Sequence, residues 1–355
     1  MKKFMLFAAM ASVVLTSCVN EDKEAMESAS KKAISFDMPV MKPTRAELGE
    51  IIGTDYPETE SFKVYCKSYT GAYAGWDGAA NFFATAGEVV SYNDISTKWT
   101  TTNAYYWPEL GNNLVFAAYS PADAVTDGTY TQTDEGLQIA NFTTAAANSQ
   151  YDLMYTARVA DKNKGNNGDV AVPMVFKHAL TSVVFSAVAA DDKATYKIKS
   201  LTVNGDIVTS GNFNQNITTA TDLDGTPIWT PVTTTTGMTY SIFTGAAVIV
   251  DDSGVMLTGN TSAAGVESAL LLIPQDVDDA TAVTIVYDKI TTGNTVEYTA
   301  TINLSKFKTG GASIDEWVMG NRYVYNITFG ANKPIHFSPS IQADWATTTL
   351  DYTIE

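Results

Sequence analysis

Eight stretches of this chain are short, rich in β-branched and aromatic residues, and bounded by Gly, Asn, Asp or Pro. That pattern restricts the chain to an all-β fold. The stretches run from Ser61 to Tyr69, Asn113 to Pro121, Val172 to Ala190, Thr195 to Gly205, Ala269 to Gln275, Ala282 to Ile290, Val296 to Leu304 and Arg322 to Phe329. In several of them apolar residues recur at every second position, as in a strand with one face in a core. Long helical periodicity is rare. Many short strands separated by turns mean a sandwich or barrel. The 355 residues suffice for two such domains. The best division lies in "AADDKA" (Ala189 to Ala194), giving domains 46–191 and 192–355. "DKNKGNNGD" (Asp161 to Asp169) reads as a long loop inside the first domain, and "TPVTTTTGMT" (Thr230 to Thr239) as a loop or edge hairpin.

The N-terminus carries an export signal. Lys2 and Lys3 precede the apolar run Phe4 to Leu15, which is too short to span a bilayer comfortably as a helix. "LTSC" (Leu15 to Cys18) then resembles a bacterial lipobox. On that resemblance residues 1–17 are a lipoprotein signal peptide, and Cys18 carries the lipid that tethers the protein to the outer membrane. An ordinary signal peptide with a coincidental cysteine is the alternative. The acidic run Asn20 to Glu24, "NEDKE", resembles the surface-export signal of Bacteroidota lipoproteins; the plainer reading is a solvated linker. The other cysteine, Cys66, has no partner once Cys18 is lipidated, so stability must come from core burial rather than disulfides.

Charge narrows the partners. Residues 1–45 hold 7 basic and 5 acidic residues, so the remainder carries 15 basic against 34 acidic, a net of −19. Such a surface repels phosphate backbones and argues against nucleic-acid binding.

Catalytic chemistry finds few carriers. The two histidines, His178 in "FKHALTSVVF" and His336 in "IHFSP", sit in strand-like runs. His178 reads as a satisfied, largely buried side chain. Neither lies near a nucleophile-elbow pattern, and no HExxH, paired CxxC or P-loop appears. "DLDG" (Asp222 to Gly225) lacks the further ligands of a calcium loop and reads as a tight turn, as does "VDDSG" (Val250 to Gly254). Paired carboxylates of the glycosidase kind leave no sequence mark, because they meet only in the fold. We therefore expect no enzyme, no cofactor and no metal site. Tyr73, Trp76, Phe82 and Phe83 in "GAYAGWDGAANFF" offer flat faces for sugar stacking, or rings that pack over a sandwich end or a neighbouring subunit.

One early stretch is unusual. In "AISFDMPVMKPTRAEL" (Ala33 to Leu48), Ile34, Phe36, Met38 and Val40 alternate with polar or small residues, the pattern of a half-buried strand. It leads into Pro43 and Arg45, in a chain whose other arginines are Arg158 and Arg322. The C-terminus repeats the pattern. "TLDYTIE" puts Leu350, Tyr352 and Ile354 on one face and acidic or polar residues on the other.

The ordered set of "YYWPELGNNLVFAAYSP" (Tyr105 to Pro121), "DLMYT" (Asp152 to Thr156), "VPMVFKHALTSVVFSA" (Val172 to Ala187), "EWVMGNRYVYNITF" (Glu316 to Phe329) and "IHFSPSIQADW" (Ile335 to Trp345) resembles the fimbrillin family of Bacteroidota, in its Mfa-like branch. The resemblance covers nearly the whole chain. It implies two tandem transthyretin-like, Greek-key β-sandwich domains and a lipoprotein precursor displayed at the cell surface. It also implies an arginine-specific protease that removes the N-terminal segment with its first strand. A strand from another fimbrillin subunit then fills the groove, building a pilus that serves adhesion. Carried onto this chain, residues 18–45 are a lipidated propeptide, and Ile34, Phe36, Met38 and Val40 form a placeholder strand. Cleavage falls between Arg45 and Ala46, and Leu350, Tyr352 and Ile354 form the donor strand, unless that strand is an ordinary edge of its own domain. The second reading is a surface lipoprotein that binds glycan or host protein through exposed aromatics without polymerising.

Overall fold

The computed structural model describes residues 31–37, 56–109, 111–122, 128–257, 269–309, 312–330 and 333–342. Almost all regular structure in them is β, with one short α-helix at Lys164–Asn167. Several expected strands stand within a residue or two of their sequence bounds: Ser61–Thr70, Asn112–Ser120, Ala282–Thr291, Asn294–Asn303 and Arg322–Gly330.

The N-terminal sheet is wound into an almost closed wall. Its order along the main path is Val172–Pro173, Phe36–Asp37, Lys98–Thr101, Glu88–Asn93, Ser61–Thr70, Asn112–Ser120, Met154–Thr156 and Phe176–His178. The first and last strands of that path are separated in the chain by only Met174 and Val175. The wall encloses a core that includes Phe36, Phe62, Trp99, Phe116 and Phe176.

Two further sheets build the other half. Thr181–Ala189 runs parallel to Arg322–Gly330, in register from Ser182 opposite Arg322 to Ala189 opposite Phe329. The long strand Thr195–Asn214 pairs with Ile228–Val250, and then along its length with Ala282–Thr291 and Gly136–Thr143. Between these sheets lies a core around Phe185, Tyr196, Trp317 and Tyr325. The indole Nε1 of fully buried Trp317 donates to the Tyr325 hydroxyl at 3.1 Å, which satisfies its one polar group.

A third core joins the halves. Val115, Ala117 and Tyr119 face it together with Ile139, Phe213, Leu271 and Ile273. Their neighbours Leu114, Phe116 and Ala118 point into the N-terminal core. A strand buried on both faces needs apolar residues at successive positions, which is why "LVFAAY" does not alternate.

One sequence expectation is corrected. The run Val172 to Ala190 is not one strand but three: Val172–Pro173, Phe176–His178 and Thr181–Ala189. Each finds a different partner strand. Pro173 has no N–H to continue a ladder, and periodicity cannot reveal a change of partner inside an apolar run. Of the two readings of Thr230 to Thr239, loop or edge hairpin, the second holds: the stretch lies inside the strand Ile228–Val250, which among the described strands pairs only with Thr195–Asn214. Threonine is β-branched, and cross-strand hydroxyl contacts such as Thr209 Oγ1 to Thr235 Oγ1 at 2.8 Å hold the ladder together. Thr181–Ala189 makes its strand pairings with later segments of the chain: Val255–Leu257, Leu270–Leu272 and Arg322–Gly330.

The smaller turn readings hold. In "DLDG" the Asp222 carboxylate accepts from the backbone N–H of Asp224 and Gly225, and those bonds hold it below the usual carboxylate range. Asp251 accepts in the same way from Ser253.

Candidate functional site

The segment Lys32 to Asp37 is inserted edge-on into the N-terminal wall. Phe36–Asp37 lies parallel to Val172–Pro173 on one side, and Phe36 stands antiparallel to Trp99 on the other. Its backbone bonds alternate between the two neighbours. On one side Val172 N–H donates to Ser35 O and Met174 N–H to Asp37 O, both at 2.8 Å. On the other, Ile34 N–H donates to Tyr105 O at 2.8 Å and Trp107 N–H to Lys32 O at 2.9 Å. An exposed ion pair from Lys32 to Asp169 closes the outer end.

Side chains follow the alternation expected from the sequence. Ile34 and Phe36 are 3% and 2% exposed, while Asp37 faces solvent. The Phe36 ring meets Phe62 and Phe116 edge-on, at 5.9 and 5.7 Å between centroids. Beneath it Tyr56 stacks on Phe176 at 5.5 Å and meets Trp99 at 5.2 Å. Its hydroxyl donates to Ser61 O and lies 2.6 Å from Ser120 Oγ, and burial pushes its pKa up. Full burial of two such apolar side chains stabilises by about 3–6 kcal/mol. Withdrawing the segment would open an aromatic-lined slot and leave the N–H groups of Val172, Met174 and Trp107 and the carbonyl of Tyr105 without these partners. Buried groups of that kind cost about 1–3 kcal/mol each.

The slot is therefore shaped for an extended segment with alternating apolar side chains, and it is unstable when empty. Its walls were less visible in the sequence than the strand that fills it. Trp99 and Val172 look like any core residues until their partners are known.

Met38, Val40, Cys18, Arg45, Ala46, Leu350, Tyr352 and Ile354 lie outside the described residues. The two other arginines are described, and both are buried, at 3% and 6% exposure for Arg158 and Arg322. The Arg158 guanidinium donates to the backbone carbonyls of Thr133 and Asp134 and to the Tyr73 hydroxyl, and lies 5.4 Å from the centre of the Trp76 ring. A protease must draw an extended segment into its cleft, which such an arginine does not offer.

The aromatic segment does not form an exposed platform. Trp76 is 2% exposed and Phe83 is buried, with Phe82 and Tyr73 half-buried beside them. Phe83 packs on Tyr105 at 4.3 Å and Tyr73 on Tyr69 at 5.3 Å, so these rings pack within the subunit. His178 is half-buried, with Nδ1 at 3.0 Å from the buried Asp152 carboxylate. Cys66 is buried as a free thiol whose pKa burial pushes up. Among the described residues no group of three or more His, Cys, Asp or Glu is gathered for a metal ion, and no helix is long and apolar enough to cross a membrane.

Comparison with known proteins agrees with this architecture. A family model described as fimbrillin-like matches residues 70–345. The matched range excludes both the Ala33 to Leu48 stretch and the final residues 349–355. No curated protein matches the chain. Among solved structures, the chain is similar to a fimbrial protein from Bacteroides vulgatus, at 16% identity and a TM-score of 0.55, covering 89% of this chain and 100% of that one. It is also similar to the tip fimbrial protein Mfa3 from Porphyromonas gingivalis, at 10% identity and a TM-score of 0.34, over 79% of this chain and 93% of that one.

Proposed function

The chain belongs to the fimbrillin-like family, and on that premise we propose that it is a structural pilus subunit, made as a surface lipoprotein and polymerised by strand exchange. The observation that carries this reading is the insertion of Phe36–Asp37 between Lys98–Thr101 and Val172–Pro173. In this reading the strand, bonded on both edges and followed by Arg45, is a removable stave in an almost closed wall.

In this reading Cys18 carries the lipid that holds the precursor in the outer membrane. The segment containing Ile34, Phe36, Met38 and Val40 occupies the slot during export. An arginine-specific protease cuts between Arg45 and Ala46. The emptied slot is then taken by Leu350, Tyr352 and Ile354 of another subunit, whose alternation reproduces that of the departing strand. The burial of Arg158 and Arg322 supports a single accessible cut. The two sandwich units, transthyretin-like in this reading, divide at Ala179–Leu180 rather than at 191, because Thr181–Ala189 pairs with the later strands. The family's character as fimbrial and adhesion proteins points to a structural role at the cell surface rather than to catalysis.

The test is Arg45→Ala. With an arginine-specific protease present, the wild-type chain should start at Ala46 and form SDS-resistant ladders. The variant should stay full length and monomeric. Ladders formed by Arg45→Ala would sink the mechanism. Deleting residues 349–355 should abolish ladders while leaving the monomer folded; retained ladders would place the donor elsewhere.

A further inference from the structure

We propose that the cleft between the strands Ser61–Thr70 and Thr129–Thr133 is a binding site for an acidic saccharide, a sugar carrying carboxylate or sulfate groups. The cleft lies on the outer face of the N-terminal wall and has a volume of about 680 Å³. Sites for small ligands fall between about 300 and 1,000 Å³.

Its charge is unusual for this protein. Lys63, Tyr65 and Lys67 line the cleft from alternate positions of one strand, so their side chains share a face. The chain as a whole carries a formal charge of −17, and Lys32, Lys164, Lys177, Lys199 and Lys306 each pair with a carboxylate. Lys63 and Lys67 pair with none among the described residues. Lys67 is held in place, donating from Nζ to Trp76 O at 2.8 Å and lying 5.4 Å from the centre of the Trp76 ring. One backbone bond leaves it two further N–H groups for a ligand. Lys63 is half-buried and has no such tie.

The remaining lining fits a polyhydroxylated ligand. Tyr119 and Tyr130 stack at 4.4 Å, and both line the cleft. Gln132 also lines it, and its Nε2 is buried without any hydrogen bond, a donor awaiting an acceptor. Thr85 and Thr131 also line the cleft. An acidic peptide would match the lysines too, but its natural mode here is to extend the exposed edge of Thr129–Thr133. The Thr133 carbonyl at one end of that edge already accepts from Arg158, which disfavours a peptide there. The lining as a whole favours the saccharide.

The inference does not depend on strand exchange, so it is tested on the monomeric full chain. Binding is followed by calorimetry at low salt with three probes: a sulfated chondroitin disaccharide, lactose as its uncharged counterpart, and a hexaglutamate peptide. The disaccharide should bind, and lactose and the peptide should bind at least about tenfold more weakly, the worth of one charge-assisted hydrogen bond. Lys63→Gln and Gln132→Leu should each weaken the disaccharide about tenfold at unchanged melting temperature. No binding of the disaccharide, binding untouched by both substitutions, or equal affinity for hexaglutamate would overturn the proposal. Ladder formation under the Arg45→Ala test reports separately on the pilus reading.

Discussion

Replacing Phe36 by alanine removes the side chain that anchors the N-terminal strand. The ring is 2% exposed and packs edge-on against Phe62 and Phe116, so its loss deletes both buried area and two aromatic contacts. Large-to-small changes of this kind cost about 3–5 kcal/mol when the surrounding wall cannot collapse. Collapse is hindered here, because the strand is bonded to a neighbour on each edge. If the strand leaves as a unit, as strand exchange requires, the cost should fall on local opening before global unfolding. Hydrogen exchange reads this directly. The amides of Val172 and Met174 donate to Ser35 O and Asp37 O, and are released when the strand departs. In a Cys18→Ser background, Phe36→Ala should accelerate exchange at those two amides by at least about a hundredfold, the kinetic equivalent of roughly 3 kcal/mol. Amides deep in the other half, such as Tyr325, should change little. A change below about fivefold at Val172 and Met174 would mean that Phe36 does not hold the strand, and the removable-stave argument would fail with it.

Three further outcomes are expected. Cys66 should resist a thiol reagent in the native protein and react on unfolding, because burial both hides the thiol and raises its pKa; rapid native labelling in a Cys18→Ser background would contradict this. Arg158→Met leaves the carbonyls of Thr133 and Asp134 without their donor, which should destabilise by at least about 2 kcal/mol in urea titration. Gly225→Ala should cost at least about 1–2 kcal/mol, because φ is +77° and a Cβ would stand 2.2 Å from Gln215 O; a neutral melting temperature would refute it.

Local patterns were legible because local forces produce them. The alternation of Ile34 and Phe36 with Ser35 and Asp37 names a half-buried strand wherever it docks, and the structure buries Ile34 and Phe36. The Asx turns at Asp222 and Asp251 were readable for the same reason, since each carboxylate bonds the backbone two or three residues away. The all-β class followed from many such segments together.

What a strand pairs with is a property of the whole chain. Val172, Phe176 and Val183 sit in one apolar run, yet three different partners claim them, from Phe36 to Thr156 to Tyr323. Residues 230 to 239 are mostly threonine, and only the facing strand Thr195–Asn214 makes them a ladder. Trp76 looked available to a sugar until Arg158 and Lys67 came to lie over its ring. Composition and period set which segments extend and which of their faces seek cover. Tertiary structure alone chose the cover, because backbone hydrogen bonds accept any strand edge and selection among them rests on side chains far apart in the chain.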